Sequence, residues 1–405
     1  MRILIVTQYF WPENFRITDL AIALKDKGHE VTILTGMPNY PAGKIYDGYA
    51  WWNKKRETMQ GIPIVRVPLF ARRESRSWQL VLNYLSFALS ACLLAPWMLR
   101  KQEFDCIFTF EVSPVTVGIP AVLLRRLKKA PMLFWVQDLW PETLAATGAV
   151  QSSRVLSGVA AMVRAIYRRC DKILVQSKSF VNPIIKVGGD REKIAYFPNW
   201  AETLYQPVKL ADSAPERQLV PTHGFIVMFA GNLGEAQSLD TIVNAAKILS
   251  HEDVHWVFLG DGRRRNWLEI QQQEGLDKVH ILGSFPMEKM PTFFSLADAM
   301  LVTLRDDPVM STTIPGKVQS YLACGRPLLG ALNGAGVDVI RESGSGFCVD
   351  SGDHQALADA VLKMRDLSEA RRKRMGQAGR AYYEKHFDRD RLVEQLESWM
   401  IEMRR

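Results

Sequence analysis

Short apolar runs recur along the chain, each followed by a loop and then by apolar residues at helical spacing. Ile3–Val6 comes first, then the loop Gln8–Asn14, then Ile17, Leu20, Ala21 and Leu24. Gly28 is a helix stop, and Val31–Leu34 is the next run. Uninterrupted runs of this kind mark buried parallel strands, because helices cover both faces of the sheet. Strand, helix and strand within about 35 residues make a βαβ unit. Cys106–Phe110, Met132–Val136 and Lys172–Val175 extend the same sheet.

The grammar restarts in the second half. Residues 207–224 are mixed and polar, carry Pro207, Pro215 and Pro221, and predict a linker. Phe225–Ala230 and the turn Gly231-Asn232-Leu233-Gly234 follow, then a helix through Ile242, Ala245, Ala246 and Leu249. His255–Leu259, Val279–Leu282, Ala299–Thr303, Pro327–Gly330 and Gly346–Val349 read as further strands. The pattern predicts an α/β chain of two Rossmann-like domains, 1–205 and 206–388, facing across a cleft. Ligands of such sheets bind at the carboxyl ends of the strands. Leu392, Leu396, Trp399 and Met400 form an apolar helix face in 389–405, which is expected to pack back on the first domain.

One segment breaks the pattern. Residues 77–99 are 23 positions without a charge, preceded by Arg72, Arg73 and Arg76 and followed by Arg100 and Lys101. The length suffices to span a bilayer. Gln79, Asn83, Ser86, Ser90 and Pro96 dilute it, and it lies between two strands of one sheet. Three readings stay open: a transmembrane helix, a buried core helix, or a helix dipping into a bilayer surface. The arginine flanks with Trp78 and Trp97 favour the last.

Composition narrows the class without choosing it. The 405 residues are 47% hydrophobic and 23% charged, which excludes a wholly disordered or collagen-like chain. The net charge of +8 is uneven: residues 1–200 hold 27 Lys and Arg against 15 Asp and Glu, whereas the rest hold 24 against 28. That asymmetry argues against a nucleic-acid binder and for one face that meets phosphate or lipid headgroups. Cys92, Cys106, Cys170, Cys324 and Cys348 are an odd number with no CxxC pair, which fits a reducing cytoplasm. The opening Met-Arg-Ile-Leu-Ile-Val-Thr has no long apolar core, so no secretory leader is expected.

Candidate chemistry concentrates in the second half. His251-Glu252-Asp253-Val254-His255 fits the zinc-protease pattern, which needs both histidines on one helix face. Here a helix ends near Ser250 and His255 opens a strand, so no metal site is expected. Asp388-Arg389-Asp390 reads as a helix cap. Three turns suit an anion: Gly231–Gly234, Gly260-Asp261-Gly262-Arg263-Arg264-Arg265, and Thr312-Thr313-Ile314-Pro315-Gly316-Lys317 at a helix start. Together they point to the diphosphate of a nucleotide.

Motifs along nearly the whole chain resemble glycosyltransferase family 4, within the GT-B group. They are Gln-Tyr-Phe-Trp-Pro-Glu-Asn at 8–14, Lys-Gly-His-Glu-Val-Thr-Ile-Leu-Thr at 27–35, Ala-Gly-Asn-Leu-Gly at 230–234 and Leu-Gly-Asp-Gly at 259–262. Lys-Val-Gln-Ser-Tyr-Leu-Ala-Cys-Gly-Arg-Pro at 317–327 and Gly-Ser-Gly-Phe-Cys-Val-Asp-Ser-Gly-Asp at 344–353 belong to the same set. Pro38-Asn39-Tyr40-Pro41 and Val136-Gln137-Asp138-Leu139-Trp140-Pro141-Glu142 resemble the bacterial transferases of O-antigen and capsule assembly, including N-acetyl-L-fucosamine transferases.

The resemblance implies retaining transfer of a sugar from a UDP-sugar to an undecaprenyl-diphosphate-linked saccharide. The enzyme would lie peripherally on the inner face of the cytoplasmic membrane and need no metal. It places Asn14, Gly231, Asn232, Gly260, Arg265, Thr312, Thr313, Lys317, Gln319 and Ser320 at the donor. The family's pair of glutamates falls on Thr312 and Ser320, so the ribose contact is either weaker or supplied by a neighbour such as Gln319. The family's loop Arg and Lys fall on Asn232 and Ser238, leaving Arg265 and Lys317 for the diphosphate. A histidine often found near the transferred sugar falls on Gln137, beside Asp138. Glu111 and Asp138 either orient hydroxyls or are structural carboxylates. A nucleotide-sugar 2-epimerase of the same architecture is the alternative.

Overall fold

In the computed structural model the apolar runs become two separate sheets. All residues are described except 51, 52, 54, 73–76, 147–149, 151, 212 and 405, so Arg73 and Arg76 lie outside the described residues. Two units result: Met1–Phe197 with Asp390–Arg405, and Pro198–Arg389.

The first unit contains β1 (Arg2–Val6), β2 (Glu30–Gly36), β3 (Arg56–Met59), β4 (Ile62–Val67), β5 (Cys106–Glu111), β6 (Met132–Val136), β7 (Lys172–Val175) and β8 (Ile194–Tyr196). Their order is β3-β4-β2-β1-β5-β6-β7-β8. Ile3 of β1 lies opposite Val31 of β2 and Cys106 of β5 in parallel register. Every residue of β5 and β6 is buried, because helices cover both faces. The pair β3–β4 is antiparallel, which the apolar pattern did not announce. Its turn is Gln60-Gly61, both at positive φ, as a two-residue hairpin of this hand requires. As a mostly exposed edge strand, β3 needs no apolar run.

The helix Ser77–Met98 packs one face on this unit and leaves the other in solvent. Phe87, Ala88, Ala91 and Ala95 are buried, and so are the polar Gln79 and Asn83. Trp78, Leu82, Leu85, Leu89, Leu93 and Trp97 are exposed, Leu93 by 68% and Trp97 by 66%. The usual amphipathic arrangement is thus reversed at several positions. The last helix, Arg389–Glu402, buries Leu392, Val393, Leu396 and Met400. Within the first unit Trp399 packs edge-on against Phe197, and Glu397 meets His29 at 3.0 Å.

The second unit holds β9 (Phe225–Ala230), β10 (Val254–Leu259), β11 (Val279–Gly283), β12 (Ala299–Thr303), β13 (Leu328–Ala331) and β14 (Gly346–Val349). The order is β11-β10-β9-β12-β13-β14, all parallel. The units part after Phe197, earlier than a boundary at 205. Residues just beyond it belong to the second core: Ala201 is buried there, and Tyr205 stacks on Phe294 at 5.8 Å. The proline-rich stretch 207–224 is not a free linker either. Val220 joins the second core, and the buried Glu216 accepts Lys289 at 2.8 Å.

Candidate functional site

In the first unit the polar groups gather at the carboxyl ends of β1, β2, β5 and β6. Glu111 closes β5 and is fully buried. One carboxylate oxygen accepts the Ser113 N–H at 3.3 Å; the other accepts those of Gln137 and Asp138 at 3.3 and 3.4 Å. Burial, and secondarily the nearby Asp138, push the Glu111 carboxyl well above its ordinary range. A carboxyl without exposed surface does not meet a sugar hydroxyl in this arrangement, and of the two readings open for Glu111 its burial and its backbone partners favour the structural carboxylate. It fixes the two loops that follow β5 and β6.

Asp138 is the partly exposed member of the group. Its Oδ2 accepts the Ser113 hydroxyl at 2.6 Å, and the Trp140 indole N–H donates to that same hydroxyl at 3.2 Å. Burial raises the Asp138 pKa, opposed by the Ser113 bond. The Gln137 side chain is buried, and its backbone carbonyl accepts Gln176 Nε2 at 2.8 Å. Gln137 is 7% exposed, Glu111 is fully buried, and of the three expected catalytic residues Asp138 presents the most surface.

A second carboxylate, Glu13, was not singled out from the sequence. It is buried; Oε1 accepts the N–H groups of Asn39 and Tyr40 at 2.7 Å each, and Oε2 that of Phe10 at 3.2 Å. Asn14 is exposed on the loop that Glu13 anchors. Arg66 lies under the same loop, bonded to the Gly36 carbonyl at 2.9 Å, to the Trp11 carbonyl and to Glu57. The long helix enters here too. Gln8 donates to Asn83 at 2.7 Å, and Asn83 donates to Asn39 at 3.3 Å and to the Phe70 carbonyl at 2.6 Å. Asn83 thus faces the loops after β1 and β2, whereas Ser86 accepts the Phe70 N–H and Ser90 donates to the Pro68 carbonyl in the segment after β4.

In the second unit Lys317 and the Gly231 turn come together. Lys317 Nζ donates to Gln237 Oε1 at 2.5 Å and lies 3.8 Å from the centre of the Phe229 ring. A Cβ added to Gly231 would stand 3.3 Å from that ammonium. Burial pushes the Lys317 pKa down to about 7. The lysine stands in the first turn of the helix Gly316–Ala323, which no side chain caps. Gln237 is the partner that sequence reasoning missed, since its polarity carries no periodic signal.

The turn at 260–262 packs directly against the turn at 231–233. A Cβ on Gly260 would sit 1.9 Å from the Gly231 carbonyl oxygen, and one on Gly262 would sit 2.5 Å from Leu233 O. These glycines let two turns touch. Their amides are consumed internally: Gly260 N–H bonds Gly283 O, and Gly262 N–H bonds Asp261 Oδ1. Arg265 pairs with Glu269 at 2.8 Å and lies 3.7 Å from Asp261; Arg264 pairs with Asp240 and covers Trp267. Asn232 Oδ1 stands beside Gly262. Gly231–Gly234 leads first into a short turn, Glu235–Gln237, and only then into the helix Leu239–Ile248.

Gln319 is buried and donates to the Asn199 carbonyl at 2.7 Å. It points into the core because the open face of Gly316–Ala323 carries Gly316, Lys317 and Ser320. A ribose contact by Gln319 is therefore corrected. Ser320 bonds the Gly316 carbonyl at 3.3 Å, and Thr312 bonds the Val309 carbonyl at 2.6 Å. Thr313 follows in extended, partly buried backbone. The pair His251 and His255 shares no helix: Leu239–Ile248 has already ended, and His255 is in β10.

Two open units with mostly parallel sheets, each with polar groups beyond the carboxyl ends of the strands, are the makings of a GT-B transferase. Residues 14–200 match the glycosyl transferase 4-like domain, and residues 224–366 match glycosyl transferases group 1. The chain belongs to this family of glycosyltransferases. It is 29% identical over 312 residues to WcaI of Escherichia coli (strain K12), by name a colanic acid biosynthesis glycosyl transferase, covering 75% of each chain. It is 24% identical over 278 residues to WbjE of Pseudomonas aeruginosa, by name a glycosyltransferase, covering 66% of this chain and 68% of that one. Among solved structures, Anabaena HepE in complex with UDP superposes with a TM-score of 0.70 at 16% identity, over 99% of this chain and 100% of that one. The epimerase alternative draws nothing from these comparisons.

Proposed function

We propose that the enzyme transfers a sugar, with retention of configuration, from a UDP-sugar to a lipid-linked saccharide in bacterial surface polysaccharide assembly. The observation that carries this reading is the helix Ser77–Met98. Its Asn83 holds the loops after β1 and β2, and its Ser86 and Ser90 hold the segment after β4, while Trp78, Leu82, Leu85, Leu89, Leu93 and Trp97 stand in solvent. An apolar stripe of that length is stable against water at a cost, and an apolar phase removes the cost. An undecaprenyl-diphosphate-linked acceptor lies in that phase, at the inner face of the cytoplasmic membrane. Arg100 covers the Trp97 ring at 4.7 Å, as a headgroup-level pair would. Arg126 and Lys129 are exposed nearby in sequence, whereas Arg125 and Lys128 are committed to Asp171 and to the carbonyls of Leu99 and Gln102. Five free cysteines support a reducing compartment.

Lys317 and the uncapped N-terminus beside it would take the diphosphate, where positive charge stabilises the leaving group as it develops. This needs no resident metal at the diphosphate. The UDP bound to HepE supports the donor class, and the names of WcaI and WbjE support the pathway class. N-acetyl-L-fucosamine or a related N-acetylated hexose is the sugar that the motifs at 38–41 and 136–142 favour. Asp138 would orient an acceptor hydroxyl. The test is a panel of UDP-N-acetylhexosamines with undecaprenyl-diphosphate-linked saccharides in anionic vesicles. Sugar transfer with release of UDP is expected, and a Leu89→Glu/Leu93→Glu enzyme should leave the vesicles. Binding of both enzymes alike to vesicles, or no transfer with any donor, would overturn the reading.

A further inference from the structure

At the amino-terminal edge of the second sheet, away from the carboxyl-end loops, three histidines and an aspartate converge. His223 and Gly224 precede β9, Asp253 precedes β10, His255 is its second residue, and His280 lies in β11. One ligating atom from each of His223, Asp253 and His255 falls within 4.8 Å of the others. His255 Nε2 is buried and has no hydrogen-bond partner, although it stands 3.4 Å from Asp253 Oδ1. Zinc–nitrogen and zinc–oxygen bonds of about 2.1 Å at a tetrahedral angle put two ligand atoms about 3.4 Å apart. The separation suits two ligands of one ion, and the pair fails as a hydrogen bond.

The surroundings fit the same reading. His255 Nδ1 and His280 Nε2 are 3.0 Å apart and share a proton. With that proton on Nδ1, His280 accepts it and the Nε2 lone pair faces Asp253, the arrangement that an outer partner imposes on a metal-bound imidazole. Gly224 has φ of 76°, and a Cβ there would meet Asp253 Oδ1 at 2.5 Å and His255 Cδ2 at 2.7 Å. The wall is bare where the two side chains press against it. His223 is exposed, its ring is edge-on to that of His255 at 5.2 Å, and it offers a ligating nitrogen within 4.8 Å of the other two ligand atoms.

We propose that His223, Asp253 and His255 bind a zinc-class divalent transition-metal ion, with His280 as the positioning residue. Two imidazoles and a carboxylate suit that class, with water in the fourth position. The ion would tie the loops that open β9 and β10, and it has no part in the transfer reaction. This is independent of the donor and acceptor proposed above.

The test uses the untagged full chain, stripped with chelator and titrated with zinc chloride against a chromophoric competitor. One equivalent should bind, and zinc should raise the thermal midpoint of the wild type. The exposed ligands give variants that should fold: His223→Ala and Asp253→Asn should keep the metal-free midpoint and lose at least about tenfold in zinc affinity. His280→Ala should lose roughly 10- to 100-fold, the range for an outer partner. Cobalt substitution should give visible absorption bands in the wild type alone. A wild-type zinc affinity no tighter than that of the His223→Ala/Asp253→Asn double variant would overturn the proposal.

Discussion

Glu111 in the first unit and Lys317 in the second each stand under the loops beyond the carboxyl ends of their strands, and they are partnered very differently. Glu111 is wholly buried and receives three backbone N–H groups. Lys317 is partly buried and, among the described residues, has one hydrogen-bond partner, an uncharged amide. Both groups are destabilised in their charged forms by burial. The carboxyl is compensated by fixed donors that hold its loops; the ammonium is left for something else to neutralise. A buried carboxyl held by fixed backbone donors is scaffold, and an under-compensated ammonium beside an uncapped helix start is a binding group.

Removing the two groups should therefore break different properties. The largest effect belongs to Lys317→Ala. A contact that strengthens as the leaving diphosphate gains charge is typically worth about 2–4 kcal/mol, or roughly 30- to 1,000-fold in turnover. Thermal stability should hold or rise, because an under-compensated buried ammonium is lost. Steady-state kinetics and a melting curve on the same preparation decide it. Turnover within twofold of wild type would show that the diphosphate binds elsewhere.

Glu111→Leu should act on the fold instead. It keeps the volume and strands buried N–H donors, at a cost of about 1–3 kcal/mol. For a unit of this size each kcal/mol lowers the melting midpoint by about 2–4 °C. UDP affinity, measured by calorimetry below the transition, should be unchanged. A variant with wild-type melting and no turnover would return Glu111 to the reacting groups.

The same contrast explains what the sequence made legible. The inner strands β9, β10, β12 and β13 of the second sheet are buried throughout and stand out as apolar runs, because parallel strands covered on both faces have little choice of residue. The edge strand β3 does not, since one exposed side frees its composition. Site residues were legible where chemistry and position coincide: Lys317 sits at a helix start next to a glycine turn. Gln319 was misplaced by one helical step. The 100° between successive positions turns it into the core while Ser320 stays on the open face. Glu111 was legible as a carboxylate at a strand end but not as a buried one, because burial depends on the loops that close over it. The glycines at 260 and 262 resembled a phosphate loop. Contact between two turns, invisible along the chain, is what requires them.

The smallest effect is the pH dependence of nucleotide binding. Lys317 has its pKa pushed down to about 7 in the free protein. A bound diphosphate would raise it, so binding takes up a proton over the interval between the two values. Below pH 7 the lysine is already charged and affinity should be flat. Above pH 7 each deprotonated molecule must recover its proton to bind, and affinity should fall. If the bound value is about two units higher, the loss from pH 6.5 to 8 is under about tenfold, or roughly 1.4 kcal/mol. Calorimetry of UDP in two buffers of different ionisation enthalpy should show net proton uptake near pH 8 and none near pH 6. Lys317→Met should abolish the uptake while leaving any contribution from the UDP phosphate, which titrates in the same range, as the baseline. Uptake that persists undiminished in Lys317→Met would assign the proton to another group and separate Lys317 from the diphosphate.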